Sequence, residues 1–125
     1  MSKLRILLAE DHETVREGLR MIINAQADME VIGEASDGRE AVARASELLP
    51  DIVVMDVSMP HLNGLKATEK LKAICPQVKV LTLTRHTDDG YLQQLVRAGA
   101  SGYVLKQSPP AELLHAIRAV AGGGK

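Results

Sequence analysis

The run Ile52-Val53-Val54-Met55-Asp56 decides how this chain is read. Four apolar residues in succession, with no polar alternation, suit a strand covered on both faces. The acid that ends the run is followed at once by a loop, Val57-Ser58-Met59-Pro60. A second run, Leu4-Arg5-Ile6-Leu7-Leu8-Ala9, ends in the same way on Glu10-Asp11. If the two are parallel neighbours, three carboxylates meet at one carboxyl edge. Like charges about 4 Å apart repel by roughly 4 kcal/mol at an effective dielectric near 20. Such a corner calls for a cation, and one of its acids is a candidate nucleophile.

Outward from these two runs, apolar stretches alternate with segments of helical period. Further strands are expected at Glu30–Glu34, Val78–Thr84 and Gly102–Leu105. Between the strands, Val15, Leu19, Ile22 and Ile23 form one helical stripe, and Ala41, Ala45, Leu48 and Leu49 a second. A third helix is expected over about Leu65–Ile74, with Tyr91, Leu92, Leu95 and Val96 marking the fourth and Leu113, Ile117, Val120 and Ala121 the fifth. Thr14 with Glu17, and Asp37 with Glu40, have capping-box spacing. Ser108-Pro109 offers an N-cap followed by a first-turn proline. Pro50 and Pro76 close the second and third helices, and Ala98-Gly99-Ala100 reads as a helix end with a left-handed cap. Strict β-α alternation implies a parallel sheet with helices on both faces. Ligand sites in such sheets lie beyond the carboxyl ends of the strands, where strand order reverses. That rule puts Glu10, Asp11, Asp56, Thr84 and Lys106 on one rim.

Composition narrows the function. The 125 residues suffice for one domain with one core, and 46% apolar with 25% charged residues excludes wholesale disorder. Lys plus Arg total 15 against 16 Asp plus Glu, so no basic excess marks a nucleic-acid binder. With only Tyr91 and Tyr103 as aromatics, base-stacking platforms are not expected either. A single cysteine, Cys75, rules out internal disulfides and multi-thiolate metal sites and reads as a small buried apolar residue. No signal-peptide pattern follows Met1-Ser2-Lys3, and no apolar run approaches the roughly 18 residues of a membrane span. A cytoplasmic location is expected. Gly122-Gly123-Gly124 reads as the start of a linker over 122–125, after a domain over 1–121.

Taken together, Leu7-Leu8-Ala9-Glu10-Asp11, Asp51-Ile52-Val53-Val54-Met55-Asp56, Met59-Pro60, Asn63-Gly64, Leu83-Thr84, Ala98-Gly99-Ala100 and Gly102-Tyr103-Val104-Leu105-Lys106 resemble the receiver domain of a two-component response regulator, CheY-like in fold. The resemblance runs from about Lys3 to Ala121 and implies a doubly wound (βα)5 sheet in strand order 2-1-3-4-5. It implies that Asp56 accepts a phosphoryl group as an acyl phosphate. Mg2+ would be held by Asp11, Asp56 and the Ser58 backbone carbonyl, with Glu10 acting through bound water. Lys106 would pair with Asp56 at rest and then hold a phosphoryl oxygen. Thr84 would swing its hydroxyl toward the new phosphate, and Tyr103 would turn inward as the switch, although an ordinary sheet-edge tyrosine fits that position equally well. The implied donor is a phosphohistidine on a sensor histidine kinase, with hydrolysis resetting the state. The protein would have self-phosphorylating and autodephosphorylating activity without being an enzyme for external substrates.

Two departures stand out. Arg85, followed by His86, occupies a position that is small in many receivers. Arg85 is expected to face solvent, with screening of Asp56 or contact with a phosphate oxygen as alternatives. Gln107 follows Lys106 where many receivers have a cis proline, so a trans peptide is expected there. The segment 106–112 resembles the LuxR/NarL-type subgroup. That likeness implies a C-terminal helix-turn-helix domain, absent here, through which DNA would be bound, and allows a homodimer on phosphorylation. A stand-alone or degenerate receiver that serves as a docking module is the alternative. A flavodoxin-type cofactor binder is disfavoured because Glu10-Asp11-His12-Glu13 would repel a phosphate. A haloacid-dehalogenase-type hydrolase wants a second acid where Ser58 stands.

Overall fold

The computed structural model describes residues 3–59, 62–85 and 89–122. Its elements alternate without exception: β1 (Leu4–Ala9), α1 (Glu13–Asn24), β2 (Met29–Ala35), α2 (Gly38–Leu48), β3 (Ile52–Asp56), α3 (Gly64–Ile74), β4 (Lys79–Thr84), α4 (Asp89–Arg97), β5 (Gly102–Leu105) and α5 (Pro110–Ala121). The five strands form one parallel sheet in the order β2-β1-β3-β4-β5, as expected. The order reverses between β1 and β3, which places the crevice of such a fold where those two strands end.

The apolar runs split by alternation into two cores, because successive strand side chains point to opposite faces. Leu7, Ala9, Val53, Met55 and Val80 pack with Ala41 and Ala45 of α2 and Ala67 and Leu71 of α3. Ile6, Leu8, Ile52, Val54, Leu81 and Leu83 pack on the other face with Ile23 of α1 and Leu113, Ile117 and Val120 of α5. β3 is buried at every position, including Asp56. At the far end of the sheet, Arg118 on α5 donates to both oxygens of Asp28, at 2.8 and 3.0 Å, and to Gln26 at 3.0 Å.

Several local expectations shift. Thr14 and Glu17 form no capping box: α1 starts at Glu13 with His12 as its extended N-cap and no side-chain cap bond. The His12 amide is instead turned to Glu10 Oε2, at 3.0 Å, and Glu17 pairs with Arg20. Asp37 does cap α2, accepting from the Glu40 amide at 2.8 Å, but Glu40 returns its bond to the Ser36 amide at 2.6 Å. Ser108 is not the cap of α5. Pro109 is, since Pro110 keeps the residue before it out of the helical region. Leu49 leaves the α2 stripe as an exposed C-cap with φ 48°, and Val96 is exposed on α4. β2 extends to Met29 and Ala35, and β4 begins one residue late, at Lys79. Gly99 has φ +106°, the left-handed cap expected of the Ala98-Gly99-Ala100 segment. Cys75 is buried and free. Pro60, His86, Gly123 and Gly124 lie outside the described residues.

Candidate functional site

Register explains how the acids meet. Ala9 of β1 lies opposite Met55 of β3, so the next residues on each strand, Glu10 and Asp56, leave the sheet side by side. Asp56 is in turn opposite Leu83, one residue before Thr84, and Thr84 is opposite Leu105, one residue before Lys106. Glu10, Asp11, Asp56, Thr84 and Lys106 therefore share one rim. The Lys106 amide donates to the Thr84 carbonyl at 2.8 Å, so the last two strands stay joined up to the site. Close approach on the far side needs Gly64 at the start of α3: a Cβ there would fall 2.4 Å from the Asp56 carbonyl oxygen and 2.5 Å from the Val57 Cα.

Asp56 and Glu10 are fully buried and share one counter-charge. The Lys106 ammonium, 11% exposed, lies 3.1 Å from Asp56 Oδ2 and 3.0 Å from Glu10 Oε1. The other Asp56 oxygen, Oδ1, accepts from the Ser58 amide at 3.0 Å. The other Glu10 oxygen, Oε2, accepts from the His12 amide at 3.0 Å and lies 2.9 Å from the ring Nδ1. Burial alone would push the Glu10 carboxyl up, but the two His12 contacts and Lys106 together hold it down, at about 2. Asp56 goes the other way. Its burial, reinforced by the Glu10 charge, outweighs the Ser58 and Lys106 hydrogen bonds and holds its carboxyl above the usual range. Burial opposes charge on Lys106 too, yet hydrogen bonds to Glu10 and Asp56 leave its pKa raised.

Asp11 completes the corner. Its Oδ1 is buried and accepts no hydrogen bond among the described residues, with the His12 Nδ1 3.3 Å away. Glu10, Asp11, His12 and Asp56 each present a ligand atom, all within 4.8 Å of one another. Three carboxylates against one ammonium leave an excess of two negative charges, which matches a divalent cation. An oxygen-rich donor set that includes the unpaired Asp11 Oδ1 fits a hard ion such as Mg2+.

Ser58 is exposed and meets Asp56 through its amide. Thr84 is fully buried at the rim, and Arg85 is exposed, as expected. Among the described residues no peptide bond is cis, including Lys106-Gln107. Tyr103 is not part of the corner. It sits opposite Thr82 on β5, is 45% exposed, and borders a groove of about 720 Å3 with Val96, His115 and Ala116.

Three residues near the corner were not singled out from sequence. His12 grips Glu10, and Arg16 on α1 donates to the Glu10 carbonyl at 2.8 Å. Tyr91 on α4 has its hydroxyl pKa raised by burial and further by the Asp56 charge. The signal for His12 was its place directly after the acidic pair. Nothing in the spacing of Arg16 or Tyr91 distinguished them from helix-surface and stripe residues.

Comparison with known proteins bears on the family and the fold. Residues 6–118 match the family model described as the response regulator receiver domain. The chain is 46% identical over 121 residues to the transcriptional regulatory protein YxjL of Bacillus subtilis, covering 97% of this chain and 56% of that protein. It is likewise 46% identical to the oxygen regulatory protein NreC of Staphylococcus haemolyticus, over 96% of this chain and 56% of that protein. It thus spans about half the length of these relatives. A crystal structure of a LuxR-family two-component response regulator from Aurantimonas sp. SI85-9A1 superposes with a TM-score of 0.95 at 40% identity, over 99% of this chain and 89% of that one.

Proposed function

The chain belongs to the response regulator receiver domain family of two-component systems, in its LuxR/NarL-type branch, and from that premise we propose that it is a switch thrown by phosphorylation of Asp56. The observation that carries the proposal is Asp56 itself: a fully buried carboxyl with its pKa raised, one oxygen held by a backbone amide and the other by Lys106. An acid kept in so unfavourable a place by two donors is oriented for attack.

A carboxylate oxygen of Asp56 attacks phosphorus in line with the leaving group. The new O–P bond forms as the P–N bond to a kinase phosphohistidine breaks, or the P–O bond of a small acyl phosphate. Asp11, Asp56 and the Ser58 carbonyl would hold Mg2+, which supplies charge neutralisation for the transferring group. Glu10 suits a role through bound water, since His12 holds one of its oxygens and the Lys106 ammonium faces the other at 3.0 Å. Lys106 moves from pairing Asp56 to holding a phosphoryl oxygen, and Thr84 donates its hydroxyl to another. Tyr103 responds by turning inward, and the groove beside it offers the space. Water attack on the acyl phosphate resets the switch. Receivers of this family are not classical enzymes, and self-phosphorylation and autodephosphorylation complete the activity proposed here. The output is a DNA-binding domain of the kind the longer relatives' regulatory names suggest, reached by a cytoplasmic chain that pairs on phosphorylation. No helix among the described residues is long and apolar enough to cross a membrane.

The test is intact mass after incubation with Mg2+ and acetyl phosphate. A gain of one phosphoryl group, absent from Asp56→Asn, is expected. No gain, or the same gain in the variant, overturns the proposal.

A further inference from the structure

We infer that Arg16 is a positioning residue for Asp11, acting through the peptide that joins Glu10 to Asp11. This rests on the metal role proposed for Asp11.

Asp11 lies between β1 and the N-cap of α1, in no regular element. Its orientation therefore depends on the peptide plane just before it. That plane has its carbonyl, the Glu10 oxygen, held by Arg16 Nη1 at 2.8 Å. The same guanidinium donates through Nε to Glu34 Oε1 on β2 at 3.0 Å. Arg16 thus clamps the end of β1 between α1 and the neighbouring strand. Glu10 is fixed at its other face by its amide, which donates to the Ala35 carbonyl at 3.0 Å.

Two features say that this clamp is more than helix surface. Arg16 is the first residue of α1 to donate its amide within the helix, to the His12 carbonyl at 2.8 Å, so it stands near the N-terminus, where the helix dipole disfavours a cation. Its side chain is nonetheless only 19% exposed, drawn inward to a backbone oxygen and one carboxylate. Meanwhile Asp11 Oδ1 is buried with no hydrogen bond of its own among the described residues, so no side-chain bond at that oxygen sets the direction of its lone pairs. Releasing the Glu10 carbonyl would let the peptide rotate and carry Asp11 away from Asp56.

The experiment is calorimetric titration of MgCl2 into the chain, with thermal unfolding recorded for every protein. Arg16→Ala is expected to raise the Mg2+ Kd about tenfold, the scale of losing one charged hydrogen bond. Arg16→Lys, which reaches one partner at a time, should fall between. Glu34→Gln weakens the clamp without touching the corner and should shift Kd in the same direction by less, so it decides the matter if Arg16→Ala does not fold. A purely structural Arg16 would lower the melting temperature and leave Kd within twofold of the parent in all three variants, and that result overturns the inference. No Mg2+ binding by the parent chain would overturn the metal reading first, and this inference with it.

Discussion

Replacing Lys106 by methionine should destabilise the chain by about 3 kcal/mol at neutral pH without divalent ions. The side chain keeps an apolar stem of similar reach but loses the ammonium that faces Asp56 Oδ2 at 3.1 Å and Glu10 Oε1 at 3.0 Å. Breaking a buried ion pair by removing one partner costs about 3–5 kcal/mol, because the other charge stays uncompensated. Here two carboxylates would be stranded, but the ammonium is 11% exposed and water can enter, which favours the lower end. Against a typical stability of about 5–15 kcal/mol that is a large fraction. Urea unfolding followed by circular dichroism measures it. Mild acidification should recover part of the loss, since Asp56, already raised above the usual carboxylate range, then takes up a proton and relieves its repulsion with Glu10. Saturating Mg2+ should recover part as well. A Lys106→Met protein as stable as the parent at neutral pH, and indifferent to Mg2+, would refute the idea that an unbalanced acidic corner dominates local energetics.

Glu10 makes a separate pH prediction. An acid whose folded pKa is depressed stabilises the fold fully above its unfolded value of 4.5, and loses that contribution as pH falls toward about 2. The contribution is on the order of 3 kcal/mol, reduced by Asp56, whose raised pKa works in the opposite direction. Glu10→Gln should flatten the acid limb of the urea midpoint against pH, and an unchanged limb would count against the Glu10 contacts. Gly64→Ala must displace backbone at Asp56, since its Cβ would lie 2.4 Å from the Asp56 carbonyl oxygen, and should cost about 2 kcal/mol or more with slower phosphorylation by acetyl phosphate. A Gly64→Ala protein with parental stability and phosphorylation rate would mean that α3 can shift freely.

Much of the fold could be read directly because residues 6–9 of β1 and 52–55 of β3 are apolar without interruption, as suits parallel strands covered on both faces. The rim followed from the same reading, since Glu10, Asp56, Thr84 and Lys106 are strand-end residues or their immediate neighbours. What escaped were choices made by competition between neighbours. Thr14 lost the N-cap of α1 to His12 because the acidic corner drew in the His12 amide, a contact no local propensity contains. Ser108 lost its cap to Pro109 through the steric demand of Pro110. Arg16 gains its significance from its contacts with the end of β1 and with β2, so helical spacing alone could not mark it.

One consequence follows from where Asp56 is seated. β3 is hydrogen-bonded along both edges and covered on both faces, so its terminal acid has nowhere to retreat when a bulky anion is fixed to it. The strand behaves as an anvil. The groups that meet Asp56 from other segments, Glu10 and Asp11 after β1 and Lys106 after β5, sit in the turns beyond strand ends. If Asp56 is phosphorylated as proposed, it is those turns, and not β3, that have to make room.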